Sequence, residues 1–119
     1  MRLIVDVQAK DLDRAVAFYK DVLGLSCRIH EKEWAGIVVG NAEIHLYKDG
    51  GVTDSVEFYV DDIEKAVERL SEKGVEFING MDKPSAIKYH ESGITEFPWG
   101  NLAYFRDSEG NELALVKDN

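Results

Sequence analysis

The sequence predicts an α+β protein made of two βαβββ modules, and three observations predict it. The stretch DLDRAVAFYKDVLG at residues 11–24 returns as DIEKAVERL at residues 62–70. Asp11 matches Asp62, Leu12 matches Ile63, Ala15 and Val16 match Ala66 and Val67, and Tyr19 falls on Leu70. Both stretches follow a strand-like alternation, and both close on a glycine, Gly24 or Gly74. Two copies are too few for a solenoid and suit one domain with two similar halves. The expected boundaries are residues 1–50 for the first module and 51–119 for the second. The expected architecture is a pair of curved mixed sheets around a concave cleft, with the helices outside.

The first module begins with an alternating run at residues 3–9. Leu3, Val5, Val7 and Ala9 point one way, and Ile4, Asp6 and Gln8 the other, which is a strand with one apolar face. Asp11 caps a helix by accepting from free amides of its first turn. Leu12, Ala15, Val16, Tyr19, Val22 and Leu23 recur at helical spacing and form its buried stripe. Gly24 supplies the left-handed stop. Strands follow over about 25–31, 34–39 and 42–47, the last two joined at Gly40-Asn41. The third of these turns Ala42, Ile44 and Leu46 one way, and Glu43, His45 and Tyr47 the other. Residues 48–51, KDGG, break the chain between modules.

The second module repeats the plan. Residues 55–60 alternate Val56, Phe58 and Val60 against Ser55, Glu57 and Tyr59. Asp61 and Glu64 have capping-box spacing, and Ile63, Ala66, Val67 and Leu70 make the helix stripe. A short strand is expected at 75–78. Residues 79–100 show no period and read as a long functional loop carrying His90, Glu91, Phe97 and Trp99. Strands at 101–106 and 112–117, joined by the turn at 107–111, close the module.

Composition narrows the function classes. At 119 residues, 45% hydrophobic and 31% charged, the chain suits one globular domain. A net charge of −9 repels nucleic acid and anionic membranes and raises the local concentration of small cations. No apolar run is long enough to span a membrane and MRLIVDVQAKD has no signal-peptide pattern, so the expected location is the cytoplasm. Cys27 is the only cysteine, which leaves no internal disulfide.

The sheet faces turned from the helices hold the candidate ligand-binding residues: Asp6, Gln8, His45, Tyr47, Glu57, Tyr59 and Glu112, with Trp99 from the loop. They are too polar for a dry core and line a reasonable ligand cleft. The bland alternative is the wet face of an open antiparallel sheet. His30 reads as a strand-surface residue, and His90-Glu91 as an unoriented acid–base pair.

DLDRAVAFYKDVLGL, VEFYVDDIEKAVERLSEKGVEF and PWGNLAYFRDSEGNELALV together resemble the vicinal oxygen chelate superfamily of glyoxalase I, extradiol dioxygenases, fosfomycin-modifying enzymes and bleomycin-resistance proteins. The PWG segment before FRDSEGN is most similar to the bleomycin-resistance branch. That resemblance implies a homodimer and places four metal-ligand positions on Ile4, His45, Ser55 and Ala114. Only His45 is a good ligand, so no metal and no other cofactor is expected, and catalysis that depends on a metal is disfavoured. The favoured function is a non-catalytic protein that sequesters a cationic or aromatic small molecule, such as an antibiotic, in an acidic cleft. Trp34, Tyr47, Tyr59, Phe97 and Trp99 offer rings for stacking or cation–π contact. The alternative is a metal-dependent lyase or dioxygenase with a displaced divalent site at Asp6, His45, Glu57 and Glu112. A third reading keeps the family domain but gives it a ligand unrelated to antibiotics.

Overall fold

A computed structural model describes residues 1–119, which divide into two compact units. The first unit comprises Met1–Asp54 together with Asp107–Asn111. Its elements are β1 (Ile4–Gln8), α1 (Leu12–Ala17), β2 (Ser26–His30), β3 (Trp34–Val39) and β4 (Ala42–Tyr47). They form a four-stranded sheet in the order β1-β4-β3-β2, with β1 parallel to β4 and the other pairs antiparallel. Val7, Ala9, Leu12, Ala15, Val16, Ala35, Ile37, Ile44 and Leu46 are buried, so the helix stripe and the alternate strand residues share one core as expected. Leu3 departs from this pattern: it precedes β1 and stays 67% exposed.

The helix is shorter than its sequence stripe suggests. After Ala17 the chain widens into a π-helical turn, Phe18–Val22, where the Leu23 amide reaches back to the Phe18 carbonyl. Such turns accommodate an extra residue per turn and often sit at special positions. Here the turn carries Tyr19, which has no solvent exposure and whose hydroxyl donates to Asp107 Oδ2 at 2.7 Å. Asp107 also accepts from the amides of Glu109 and Asn111 and from Asn111 Nδ2, each at 2.9 Å. Asn111 Nδ2 bonds the Gln8 carbonyl at 2.7 Å. Glu109 accepts from the Asp11 amide and from Arg14 Nε, both at 2.8 Å. Residues 107–111 are therefore a clasp on β1 and α1, and more than a turn.

The second unit comprises Ser55–Arg106 and Glu112–Asn119. Its elements are β5 (Val56–Tyr59), α2 (Ile63–Glu72), β6 (Lys88–Tyr89), β7 (Thr95–Phe97), β8 (Gly100–Arg106) and β9 (Glu112–Asp118). The sheet order is β5-β9-β8-β7-β6, with β5 parallel to β9. Ile63, Val67 and Leu70 of α2 are buried, as are Ala103, Phe105, Leu113 and Leu115 on alternate positions of β8 and β9. The helix repeat holds in detail. Asp11 and Asp62 each cap a helix by accepting the amide three residues on, from Arg14 and Lys65, at 3.1 Å. Gly24 and Gly74 close them at φ of 74° and 92°.

Three expectations are corrected here. The second N-cap is Asp62, so the Asp61–Glu64 capping box does not form. Residues 75–78 make no strand, and only Ile78 bridges to Tyr104. The stretch at 79–100 is not one loop. It contains β6 and β7, whose two and three residues are too short to show a period.

Candidate functional site

On the first unit, strand alternation collects the polar side chains on the sheet face opposite the core. Register sets Ile4 beside Glu43, Asp6 beside His45 and Gln8 beside Tyr47. On the other flank β3 places Gly36 beside His45 and Trp34 beside Tyr47. Three rings line up as a result. Trp34 and His45 have centroids 4.9 Å apart, and Trp34 and Tyr47 stack at 6.0 Å with 20° between their planes. His45 meets Tyr47 edge-on at 6.2 Å.

At the foot of this row lies Glu43, whose side chain is 1% exposed. Arg28 holds it with two bonds, Nε to Oε2 at 3.0 Å and Nη2 to Oε1 at 2.9 Å. His45 Nε2 approaches Oε1 at 3.1 Å, and Arg2 adds a contact at 3.1 Å. A planar guanidinium matches a carboxylate in this fork geometry. The Arg28 bonds hold the Glu43 carboxyl below the usual range, against burial that works to raise it. The β2–β3 register shifts between Cys27 and Ile29, a bulge that turns Arg28 to this face. Gly36 leaves the room required: a Cβ there would lie 3.0 Å from Glu43 Oε1 and 3.4 Å from Arg28 Nη2.

On the second unit the corresponding face has a different character. Glu57, Ala114 and Tyr104 stand in one row, and Tyr59, Val116 and Leu102 in the next. Phe97, Leu102, Tyr104 and Ala114 form a buried apolar cluster, and Ile78 and Ala86 pack on it from the chain between α2 and β6. Gly80 lies so close that a Cβ would be 2.7 Å from both Thr95 Oγ1 and Tyr104 Cε2. Lys83 sits on the same surface, its Nζ 2.7 Å from Glu112 Oε1 and 5.0 Å from the centroid of the Tyr104 ring. The Glu112 bond raises the Lys83 pKa. Burial is the first cause of a raised Tyr104 pKa.

The eight predicted ligand-binding residues are thus distributed over both units. Asp6, Gln8, His45 and Tyr47 come together on the first. Glu57, Tyr59 and Glu112 share one sheet face of the second, where Glu112 is engaged by Lys83 and Tyr59 accepts from Lys117 Nζ at 2.7 Å. Trp99 stands at the β7–β8 turn, 51% exposed and stacked on Phe97 at 4.9 Å. Asp6 and Glu57 make no ion pair. His90 pairs with Glu96 at 3.1 Å rather than with Glu91, and His30 pairs with Asp13 at 3.0 Å. Sequence reasoning missed Arg28 and Lys83 as site residues. Nothing in the mixed strand SCRIH marked Arg28, whose direction is set by a bulge against β3, and nothing in an aperiodic stretch marked Lys83.

Two of the four metal positions that the resemblance implies lack a donor. Ile4 offers no donor, and Ala114 is buried in the apolar cluster. Nowhere do three or more His, Cys, Asp or Glu side chains gather in a way that suits an ion.

A repeated helix-bearing module, parallel β1–β4 and β5–β9 pairs and a polar sheet face define the class. Residues 3–115 match the family described as Glyoxalase/Bleomycin resistance protein/Dioxygenase superfamily, and the chain belongs to it. No curated protein matches the sequence. Among solved structures, TnmS3, an antibiotic binding protein from Streptomyces sp. CB03234, superposes with a TM-score of 0.76 at 19% identity, covering 100% of this chain and 96% of that one. UcmS2 gives 0.74 at 26% identity, covering 98% and 97%. A lactoylglutathione lyase from Agrobacterium tumefaciens gives 0.73 at 19% identity, covering 96% and 90%. No helix is long and apolar enough to cross a membrane.

Proposed function

We propose that this protein binds a small, planar, cationic molecule without transforming it, and that the guest lies on the sheet face of the first unit. The observation that carries this reading is the row Trp34–His45–Tyr47, flanked by the unpaired carboxylate of Asp6. Ring faces attract a flat cation, and a nearby carboxylate adds to that attraction. Glu43 is already neutralised by Arg28 and Arg2, so it anchors His45 instead of meeting a guest. The donor-free Ile4 and Ala114 favour binding over metal-assisted chemistry. TnmS3, described as an antibiotic binding protein, shares the fold and supports an antibiotic-like guest. On the second unit Glu57 is the group open to a guest, because Lys83 already stands on Glu112 and Tyr104, and Lys117 on Tyr59. We further propose one functional domain working as a cytoplasmic homodimer, with no part in nucleic-acid binding.

The test is a fluorescence titration with proflavine, a flat cationic dye, in Trp34→Phe and Trp99→Phe backgrounds. Saturable quenching that survives Trp99→Phe, disappears with Trp34→Phe and weakens about tenfold with Asp6→Asn is expected, with a flatter salt dependence in the last. Glu57→Gln is titrated in parallel, and an unchanged affinity removes Glu57 from the site. Quenching that follows Trp99 alone, or no saturable binding, overturns the proposal. Metal addition with melting curves tests the chemistry: a stabilisation by zinc or nickel that His45→Ala abolishes would replace binding with a metal enzyme.

A further inference from the structure

We infer that the second unit carries a separate binding site, on the α2 side of its sheet, for a small molecule that joins a protonated amine to an apolar body. A cavity of about 500 Å³ opens there, lined by Glu64, Ile87, His90, Ile94, Glu96 and Asn101 among others. That volume lies within the range of small-molecule sites, roughly 300–1,000 Å³. Register fixes the side of the sheet. Glu96 pairs with Asn101 across β7 and β8, one position out of step with Thr95 and Phe97. Strand alternation therefore puts Glu96 and Asn101 on the face away from Leu102 and Tyr104, while Phe97 at the end of β7 also edges the cavity. Glu64 reaches the same cavity from the first turn of α2.

The lining determines the kind of guest. Ile94 is buried and Ile87 is half exposed, so the site has an apolar floor and an apolar lip that lacks cover. His90 Nε2 meets Glu96 Oε1 at 3.1 Å, which orients the carboxylate and leaves its second oxygen open. Glu64 supplies another carboxylate, Asn101 an amide, and no lysine or arginine lines the cavity. Lys88 lies opposite Glu96 in the ladder without forming an ion pair with it. Two carboxylates over an apolar floor suit a cation and disfavour an anion. A protonated amine on Glu96, with its hydrocarbon body on Ile87 and Ile94, satisfies both halves of the site. The ring row of the first unit takes no part, so this site stands apart from the proposed function.

The experiment is a titration of the ¹⁵N-labelled protein with cyclohexylmethylammonium, and in parallel with cyclohexylmethanol, which is alike in shape but uncharged. A saturated ring cannot stack, so binding at the ring row of the first unit would rest on the ammonium alone and would show as shifts there instead of at Glu96. The expected result is saturable shifts at the Glu96 and Asn101 amides, about tenfold tighter for the ammonium. Glu96→Gln keeps a partner for His90 and should erase that preference; Glu64→Gln should reduce it. Equal binding of the alcohol, a preference that survives Glu96→Gln, shifts gathered at Trp34 and His45, or no saturable shift up to about 10 mM overturns the assignment.

Discussion

Replacing Tyr19 with Phe removes one oxygen and should loosen the clasp that residues 107–111 make on the first unit. The ring is fully buried, so the substitution keeps the packing and exposes nothing. What is lost is a 2.7 Å bond to the carboxylate of Asp107. A hydrogen bond to a charged group is worth about 1.5–3 kcal/mol, and Asp107 keeps its other three donors, so about 2 kcal/mol is expected. For a chain of 119 residues the unfolding entropy is about 0.25 kcal/mol/K, so Tm should fall by roughly 8 °C. Alkaline pH supplies a second readout. Burial, with Asp107 beside it, pushes the Tyr19 hydroxyl far above its usual value of 10.0. Above that pH the unfolded chain releases a proton that the folded protein keeps. The contribution of Tyr19 is present in full below pH 10 and declines by about 1.4 kcal/mol per pH unit above it. Wild type and Tyr19→Phe should therefore differ most at neutral pH and converge by about pH 11.5, where about 2 kcal/mol has been lost. Thermal and urea unfolding followed by circular dichroism measure both. A drop under about 2 °C, or parallel curves across the alkaline range, would refute the view that the hydroxyl is a principal tie between Asp107 and the helix.

Further outcomes follow from the same geometry. Glu43→Gln should lower Tm at neutral pH by weakening its hold on Arg28. Because the folded Glu43 pKa is depressed, the difference from wild type should shrink as pH drops below its ordinary value of 4.5, which acid melts would show. Gly93→Ala places a Cβ 2.6 Å from Phe77 at a φ of 109°, and strain with overpacking should cost about 3 kcal/mol in urea titrations. Lys83→Met breaks a half-exposed ion pair and should change stability by under about 1 kcal/mol. It should nevertheless speed amide exchange at Ala86, whose amide bonds the Lys83 carbonyl, and unchanged exchange would show that the Glu112 contact does not hold this segment down.

Much of this was legible in the chain because it rests on local chemistry. The Asp11 cap, the Gly24 and Gly74 stops and strands β3 and β4 follow from interactions within a few residues. Where segments were misplaced, the deciding contact was distant or the element was too short for a period. The Asp61 cap missed by one residue because its neighbour Asp62 has the same chemistry. β6 and β7 form because β8 offers an edge to pair with.

By itself the sequence determined the family, the two matching helix starts and the faces on which Asp6, His45 and Tyr47 would stand. Alternation and helical spacing need no knowledge of the rest of the chain. It also determined that Ile4 and Ala114 cannot ligate a metal, since side-chain chemistry does not depend on folding. Only the tertiary structure decided which charges remain available. Arg28 lies 15 residues from Glu43, Lys83 lies 29 from Glu112, and Asp107 lies 88 from Tyr19, and those partners were invisible until the sheets aligned them. Charge pairing acts through space over a few ångströms. A list of carboxylates can therefore suggest an acidic surface, while the fold determines which of them are already neutralised.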